Sequence, residues 1–265
     1  MQVLIKLSYR QRIVIIMGLL LAGLVILLAI DSIPQDPAYH LFADSRGFLD
    51  IPNFGDVVSN AGFAIAGIFG LFVILGRQRS RIFKQRLDVW PYLVFFSGVA
   101  LISIGSAYYH LEPSNERLLW DRLPMSVAFM AFCSAIIADR IHNRLGNTWL
   151  LALLVVLGIL SLVYWGVTES HGHGDLRFYA FVQFYPILML PVVLWLFPDH
   201  RYTAGRFLGW VIAWYALSKV LEHFDKEVFE YFGYTVSGHS LKHLAAGAGA
   251  LVVLWMLSSQ HRRQL

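Results

Sequence analysis

Ser106-Ala-Tyr-Tyr-His110-Leu-Glu-Pro-Ser-Asn-Glu-Arg-Leu-Leu-Trp-Asp121 decides how the chain is read. A long apolar run ends in a serine and a histidine four residues apart. A polar corner follows, with Glu112, Pro113 and Asn115, and Asp121 opens the next apolar run. Far downstream, Gly238-His239-Ser-Leu-Lys-His243 opens the last apolar run with a second pair of polar residues at the same spacing. Residues four apart share one face of a helix. Ser106 and His110 therefore point together, and His239 and His243 can aim both imidazoles at one place.

The composition around these motifs is that of a membrane protein. Of 265 residues 57% are hydrophobic and only 14% charged, against about a quarter charged in a soluble domain. Eight apolar runs, 13–30, 56–76, 90–110, 121–139, 148–166, 178–197, 205–222 and 240–258, each approach the ~20 residues that carry a helix across the hydrocarbon. The alternating ten-residue segments of a membrane barrel are absent. The expected fold is an all-α polytopic transmembrane helix bundle, residues 1–265 forming one integral membrane domain. Pro124 falls near the start of the fourth run, where proline is tolerated. The first run is long for a signal-peptide core and lacks a small-x-small cleavage site, so it is read as retained. Cys133 is the only cysteine, so no intrachain disulfide is possible.

Lys and Arg distribute unevenly among the connecting segments. Lys6, Arg10 and Arg12 lie at the start, a cluster from Arg77 to Arg86 follows the second run, Arg140 and Arg144 follow the fourth, Arg201 and Arg206 follow the sixth, and Arg262 and Arg263 lie in the tail. The alternate segments are acidic. This bias expects both termini in the cytoplasm, and eight spans agree in parity. It places His110, Asp121, His239 and His243 at one non-cytoplasmic depth, with Ser106 one turn deeper. The net charge of +4 is spent on topology, and nothing in it expects nucleic acid.

Three imidazoles plus a water make an open catalytic zinc site. Zinc lowers the pKa of its water to about 7. Asp121 is placed to take the proton, and Ser106 to donate to an oxyanion. Ionisable groups inside a membrane are costly and point to function by default.

The spacing Ser106-x-x-x-His110, Asp121, His239-x-x-x-His243 resembles the alkaline ceramidase family, part of a wider superfamily of seven-span metal hydrolases that includes adiponectin-receptor-like proteins. Gly105-Ser-Ala-Tyr-Tyr-His110 and Ser237-Gly-His-Ser-Leu-Lys-His243 are similar to its prokaryotic members. The resemblance covers about residues 53–258. It implies a seven-helix core with 13–30 as an extra span, zinc held by His110, His239 and His243, catalytic roles for Asp121 and Ser106, and hydrolysis of the amide of ceramide or a related N-acyl lipid to a fatty acid and a sphingoid base. The family's calcium site does not carry over cleanly. Asn53-Phe54-x-x-x-x-Ser59-Asn60 matches the start of the first core helix, but Asn53 stands where a glutamate is expected. Asp56 reads instead as an acid at a helix N-terminus.

A non-enzymatic receptor of the same fold with a structural zinc is the alternative, since fold does not fix function. A histidine-ligated haem is a third reading. His171-Gly-His173-Gly-Asp175 lies in an exposed loop that preorganises a metal poorly. Lys219 and Glu222 are expected to pair inside the membrane, supporting the metal ligands. Trp90, Trp120, Trp149, Trp210 and Trp255 near run ends fit interfacial anchoring. The small residues from Ala245 to Ala250 let the last span approach a neighbour closely. The segment Asp31 to Gly55 is long for an unstructured loop and is read as functional or as a lid.

Overall fold

The computed structural model describes residues 7–77 and 79–261. Lys6, Arg262 and Arg263 of the charge count lie outside them. Among the described residues there is no strand, only an isolated bridge between Phe48 and Ile51. Eight long helices carry the fold. They are α1 (Tyr9–Ala29), α2 (Phe54–Leu75, interrupted by a turn at Asn60), α3 (Val89–Leu111), α4 (Asn115–Arg140), α5 (Trp149–Ser170), α6 (Arg177–Leu196), α7 (Gly205–His223) and α8 (Gly238–His261). The result is the expected all-α polytopic bundle. Seven of the helices are long and apolar enough to cross a membrane, as in an integral membrane protein. The exception is α7, where Arg206, Lys219 and Glu222 charge a nineteen-residue helix.

Small residues set the closest helix contacts. A Cβ built on Gly67 would lie 2.3 Å from the Ala100 nitrogen, so α2 and α3 touch backbone to backbone. A Cβ on Gly247 would lie 3.0 Å from the Gly62 carbonyl, which brings α8 against α2. The small-residue run of the last helix thus has a definite partner. Without a hydrophobic force between helices in lipid, such close approach is a main source of cohesion.

The fourth helix departs from expectation. It starts at Asn115, because the Ser114 hydroxyl accepts from the Arg117 backbone N–H and caps the turn. Asp121 therefore sits inside α4 instead of opening it, and Pro124 is a helix-interior proline. Proline cannot donate to the carbonyl four residues back, here that of Trp120. Gly105 of α3 lies against this carbonyl, where a Cβ would come within 2.2 Å of the oxygen.

The first helix is peripheral and mostly exposed. It rests on α6 through Gly23, where a Cβ would meet the Tyr185 ring at 2.7 Å. Arg12 donates to the Leu196 carbonyl at one end of this contact, and Arg177 to the Ile30 carbonyl at the other.

Each end of the bundle carries a polar network. At the end away from the histidines, Asp88 accepts from Asn143, Asn147 and Tyr202, at 2.8, 2.9 and 2.6 Å. Arg140, counted above as an orienting charge, is buried there and donates to the Phe197, Pro198 and Thr203 carbonyls. Burial pushes the Tyr202 phenol up, and its hydrogen bond to Asp88 adds to that.

Candidate metal centre

The polar ends of α3 and α8 meet at the other end of the bundle. His110, His239 and His243 are all buried, and each offers a ring nitrogen within 4.8 Å of the other two. Their ring centroids lie 4.8, 5.0 and 4.9 Å apart. Among the described residues this is the one group of three or more histidine, cysteine or acidic side chains placed to hold a metal ion.

The surroundings fit such an ion. Ser59 Oγ donates its single hydrogen to the Asp56 carbonyl at 3.0 Å. It must therefore accept from His243 Nδ1–H, 2.8 Å away. That fixes the tautomer and leaves Nε2 of His243 with a free lone pair. Nδ1 of His110 is buried without any hydrogen-bond partner, an arrangement that is costly unless something fills it. The backbone N–H of His239 donates to Asp225 at 2.7 Å, anchoring the first turn of α8.

Asp121 and Ser106 are both buried, where the backbones of α4 and α3 come together at Asp121 and Gly105.

Several contributors come from the segment Asp31 to Gly55, read from the sequence as functional or as a lid but without most of these residues assigned to the site. Phe42 lies over the histidines, its ring 4.6 Å from that of His110 and 4.7 Å from that of His239. It belongs to the long segment before α2, which is pinned at many points. His40 meets the Tyr109 hydroxyl at 2.8 Å and Asn115 at 2.9 Å. The Ala43 N–H donates to Asp225. Asn53, held at a positive φ of 46°, donates to the His110 carbonyl. Arg46 grips Asp44 and reaches the Thr235 carbonyl. Burial pushes the Asp44 carboxyl up, but the Arg46 hydrogen bonds and charge prevail and hold it below the usual range.

Lys219 and Glu222 pair as expected, at 2.5 Å, and a third member joins them. Lys242 Nζ sits 2.6 Å from Glu222 and 3.2 Å from His239 Nε2. An ammonium beside a cation pocket is repulsive, and Glu222, held between two lysines, offsets it.

The loop of His171, His173 and Asp175 does something else. Nδ1 of His171 binds the Val167 carbonyl, Nδ1 of His173 binds the His171 carbonyl, and Asp175 pairs with Arg177 at 2.8 Å. Burial raises the Asp175 carboxyl, but hydrogen bonds from Arg177 and Tyr164 outweigh it and bring it down to about 2.

No protein-family model matches this chain, and neither does any curated protein. The functional reading therefore rests on the residues themselves.

Proposed function

We propose that the chain is a zinc-dependent hydrolase of the ceramidase type, cleaving the amide of ceramide or a related N-acyl lipid to a fatty acid and an amine. The observation that carries this reading is the buried three-histidine group, with a carboxylate–serine pair at the same end of a membrane bundle. His110, His239 and His243 would hold the metal. Zinc so held supplies Lewis-acid activation of water at neutral pH. Three neutral nitrogen donors would leave a position on the ion open for chemistry.

The chain's own residues then divide the work. Ser59 keeps the His243 ring in register. Asp121 accepts a proton from the attacking water and returns it to the leaving amine, the two tasks of one acid–base group, and Ser106, buried nearby, donates to the developing oxyanion. Phe42 and the segment around it exclude bulk water from above. The acyl chain runs into the bilayer. The Lys and Arg bias puts both termini in the cytoplasm and the site near the opposite face; Arg140 contributes to that count although it is buried.

One observation favours the alternative of a receptor with structural zinc. Phe42 covers the histidines, as in a closed structural site. Haem is disfavoured by geometry, since imidazoles with centroids 4.8–5.0 Å apart leave no room for a porphyrin between them.

Metal content separates these readings first. Detergent-purified protein is expected to carry about one zinc per chain, and His110→Ala to lose it. His239→Ala should remain folded and lose amide cleavage. Cleavage unchanged in that variant would exclude the zinc role, and zinc without turnover on any lipid amide would favour the receptor.

A further inference from the structure

Next to Asp121, Arg122 places a guanidinium inside the bundle, only 7% exposed. Three rings surround it. Its Cζ lies 5.3 Å from the Tyr39 ring centroid, 4.9 Å from that of Trp165 and 5.0 Å from that of Tyr179. Aromatic faces attract a cation but do not take up a guanidinium's in-plane N–H groups as a carboxylate does. Nη1 of Arg122 is buried and has no acceptor.

Neither nearby carboxylate is paired with the guanidinium. Glu222 receives Lys219, Lys242 and the Tyr39 hydroxyl, at 2.5, 2.6 and 3.1 Å. No ion pair within 4.0 Å joins Arg122 to Asp121 among the described residues. A buried arginine without a bonded anion is costly in a membrane protein, and such residues mark ligand paths. The planar fork of guanidinium matches carboxylate or phosphate oxygens two at a time.

We propose that Arg122 binds an oxyanion carried by the substrate, so that the preferred substrates are N-acyl lipids with a carboxylate or phosphate on the amine portion, in place of neutral ceramide. This rests on the reading of the site as an N-acyl-lipid amidase. The anion belongs to the amine side because the acyl tail is apolar and runs into hydrocarbon. Tyr39, which lies on Arg122, also donates to Glu222, the partner of the Lys242 beside His239, so the guanidinium and the histidines border one polar end of the bundle, where a charge on the amine portion comes near Arg122. One segment covers both places: Phe42 lies on His110 and His239, and Tyr39, three residues earlier, lies on Arg122. A ligand that displaces this segment opens the histidines and the guanidinium together.

The test is equilibrium binding in nonionic detergent, read by titration calorimetry, with three probes that share one acyl chain. N-oleoylglycine carries a carboxylate, N-oleoylphosphoethanolamine a phosphate, and N-oleoylethanolamine neither. The unaltered protein is expected to bind at least one anionic probe about ten- to a hundredfold more tightly than the neutral one, the range for a hydrogen-bonded charge pair. Whichever anionic probe binds tighter identifies the group. Arg122→Gln should erase the preference while leaving the affinity for N-oleoylethanolamine, which also reports that the variant is folded. Arg122→Lys, which keeps the charge but not the fork, should retain part of it. If Arg122→Gln does not fold, the unaltered protein and Arg122→Lys decide. Equal binding of all three probes, or a preference that survives in the variants undiminished, would overturn the proposal. Cleavage assays on the same probes separate it from the reading beneath it. Binding preference without cleavage of any probe removes the amidase and keeps the anion site, whereas cleavage without preference removes the anion site alone.

Discussion

Ser59 has one hydroxyl hydrogen, and where it goes determines what His243 can do. Its donation to the Asp56 carbonyl makes Ser59 an acceptor for His243 Nδ1–H and frees the other ring nitrogen. Ser59→Ala removes that acceptor. Metal affinity is expected to fall about 10–100-fold, as for other partners of metal-bound histidines. Competition with a chromophoric chelator measures it, and an affinity equal to that of the unaltered protein would show that the tautomer is set by other contacts. The three histidines were legible in the sequence because two lie four apart on one helix and the third shares a polar end with Ser106. Ser59, Phe42 and the buried Arg122 were not assigned to the site. Their roles come from contacts with residues remote in sequence, such as Ser59 with His243, and no local pattern encodes those. Asp121 was found, but as the first residue of a helix. The Ser114 cap that moves the helix start to Asn115 is a weak signal beside Pro113, whose proline reads as punctuation.

Helices α3 and α4 meet where Pro124 leaves the Trp120 carbonyl without its helical donor and Gly105 leaves room for it. Gly105→Ala puts a methyl group 2.2 Å from that oxygen, so the helices must part, at a cost of about 1–3 kcal/mol. Because Ser106 and Asp121 flank this contact, metal content should hold while amide cleavage falls. Gly209→Ala serves as the control, since nothing lies within 4 Å of its Cβ. Thermal unfolding in detergent should show a lower midpoint for the first variant and an equal or higher one for the second. The connection between α5 and α6 has its own signature. The folded Asp175 carboxyl titrates at about 2, below the ~3.9 of a free aspartate. A depressed carboxylate contributes its stability in full above the unfolded value, and loses it as pH falls through the folded one. The midpoint difference between the unaltered protein and Asp175→Asn should therefore be constant above about pH 5 and shrink from pH 4 towards 2. A difference independent of pH across that window would mean that packing of the loop, not the charge of Asp175, sets the stability. Element positions were the most legible level of all. The run expected at 90–110 is helix Val89–Leu111, and that at 178–197 is Arg177–Leu196. Hydrophobic length alone carries this information, because in lipid every backbone group must be bonded within its own helix.

At the scale of the whole molecule, the two ends of the bundle are chemically different. One end gathers the histidines, Asp121, Glu222 and the segment before α2. The other gathers Asp88, Asn143, Asn147, Asp139 and Arg140 with its backbone partners. Helices alternate in direction between these ends, so a single orientation fixes the location of everything else. The expected orientation puts the histidine end away from the cytoplasm, and the chain makes this simple to test because Cys133 is its only cysteine. On a Cys133→Ser background, Glu112→Cys should react with a membrane-impermeant maleimide added to intact cells, since Glu112 lies in the turn between α3 and α4 at the histidine end. Arg81→Cys, in the basic link after α2, should react only after the membrane is opened. The reverse pattern would place the site on the cytoplasmic face and with it the headgroups it can reach. The buried Arg140 gives a reason to make this measurement instead of relying on the charge count. A guanidinium held by three backbone carbonyls is kept by its hydrogen bonds on either side of a membrane. The exposed basic link around Arg79 and Arg81 must therefore carry much of the orienting bias. Replacing Arg77, Arg79, Arg81, Lys84 and Arg86 together by glutamine should weaken the labelling contrast between the two cysteine sites, whereas Arg140→Gln should lower the unfolding midpoint and leave that contrast intact.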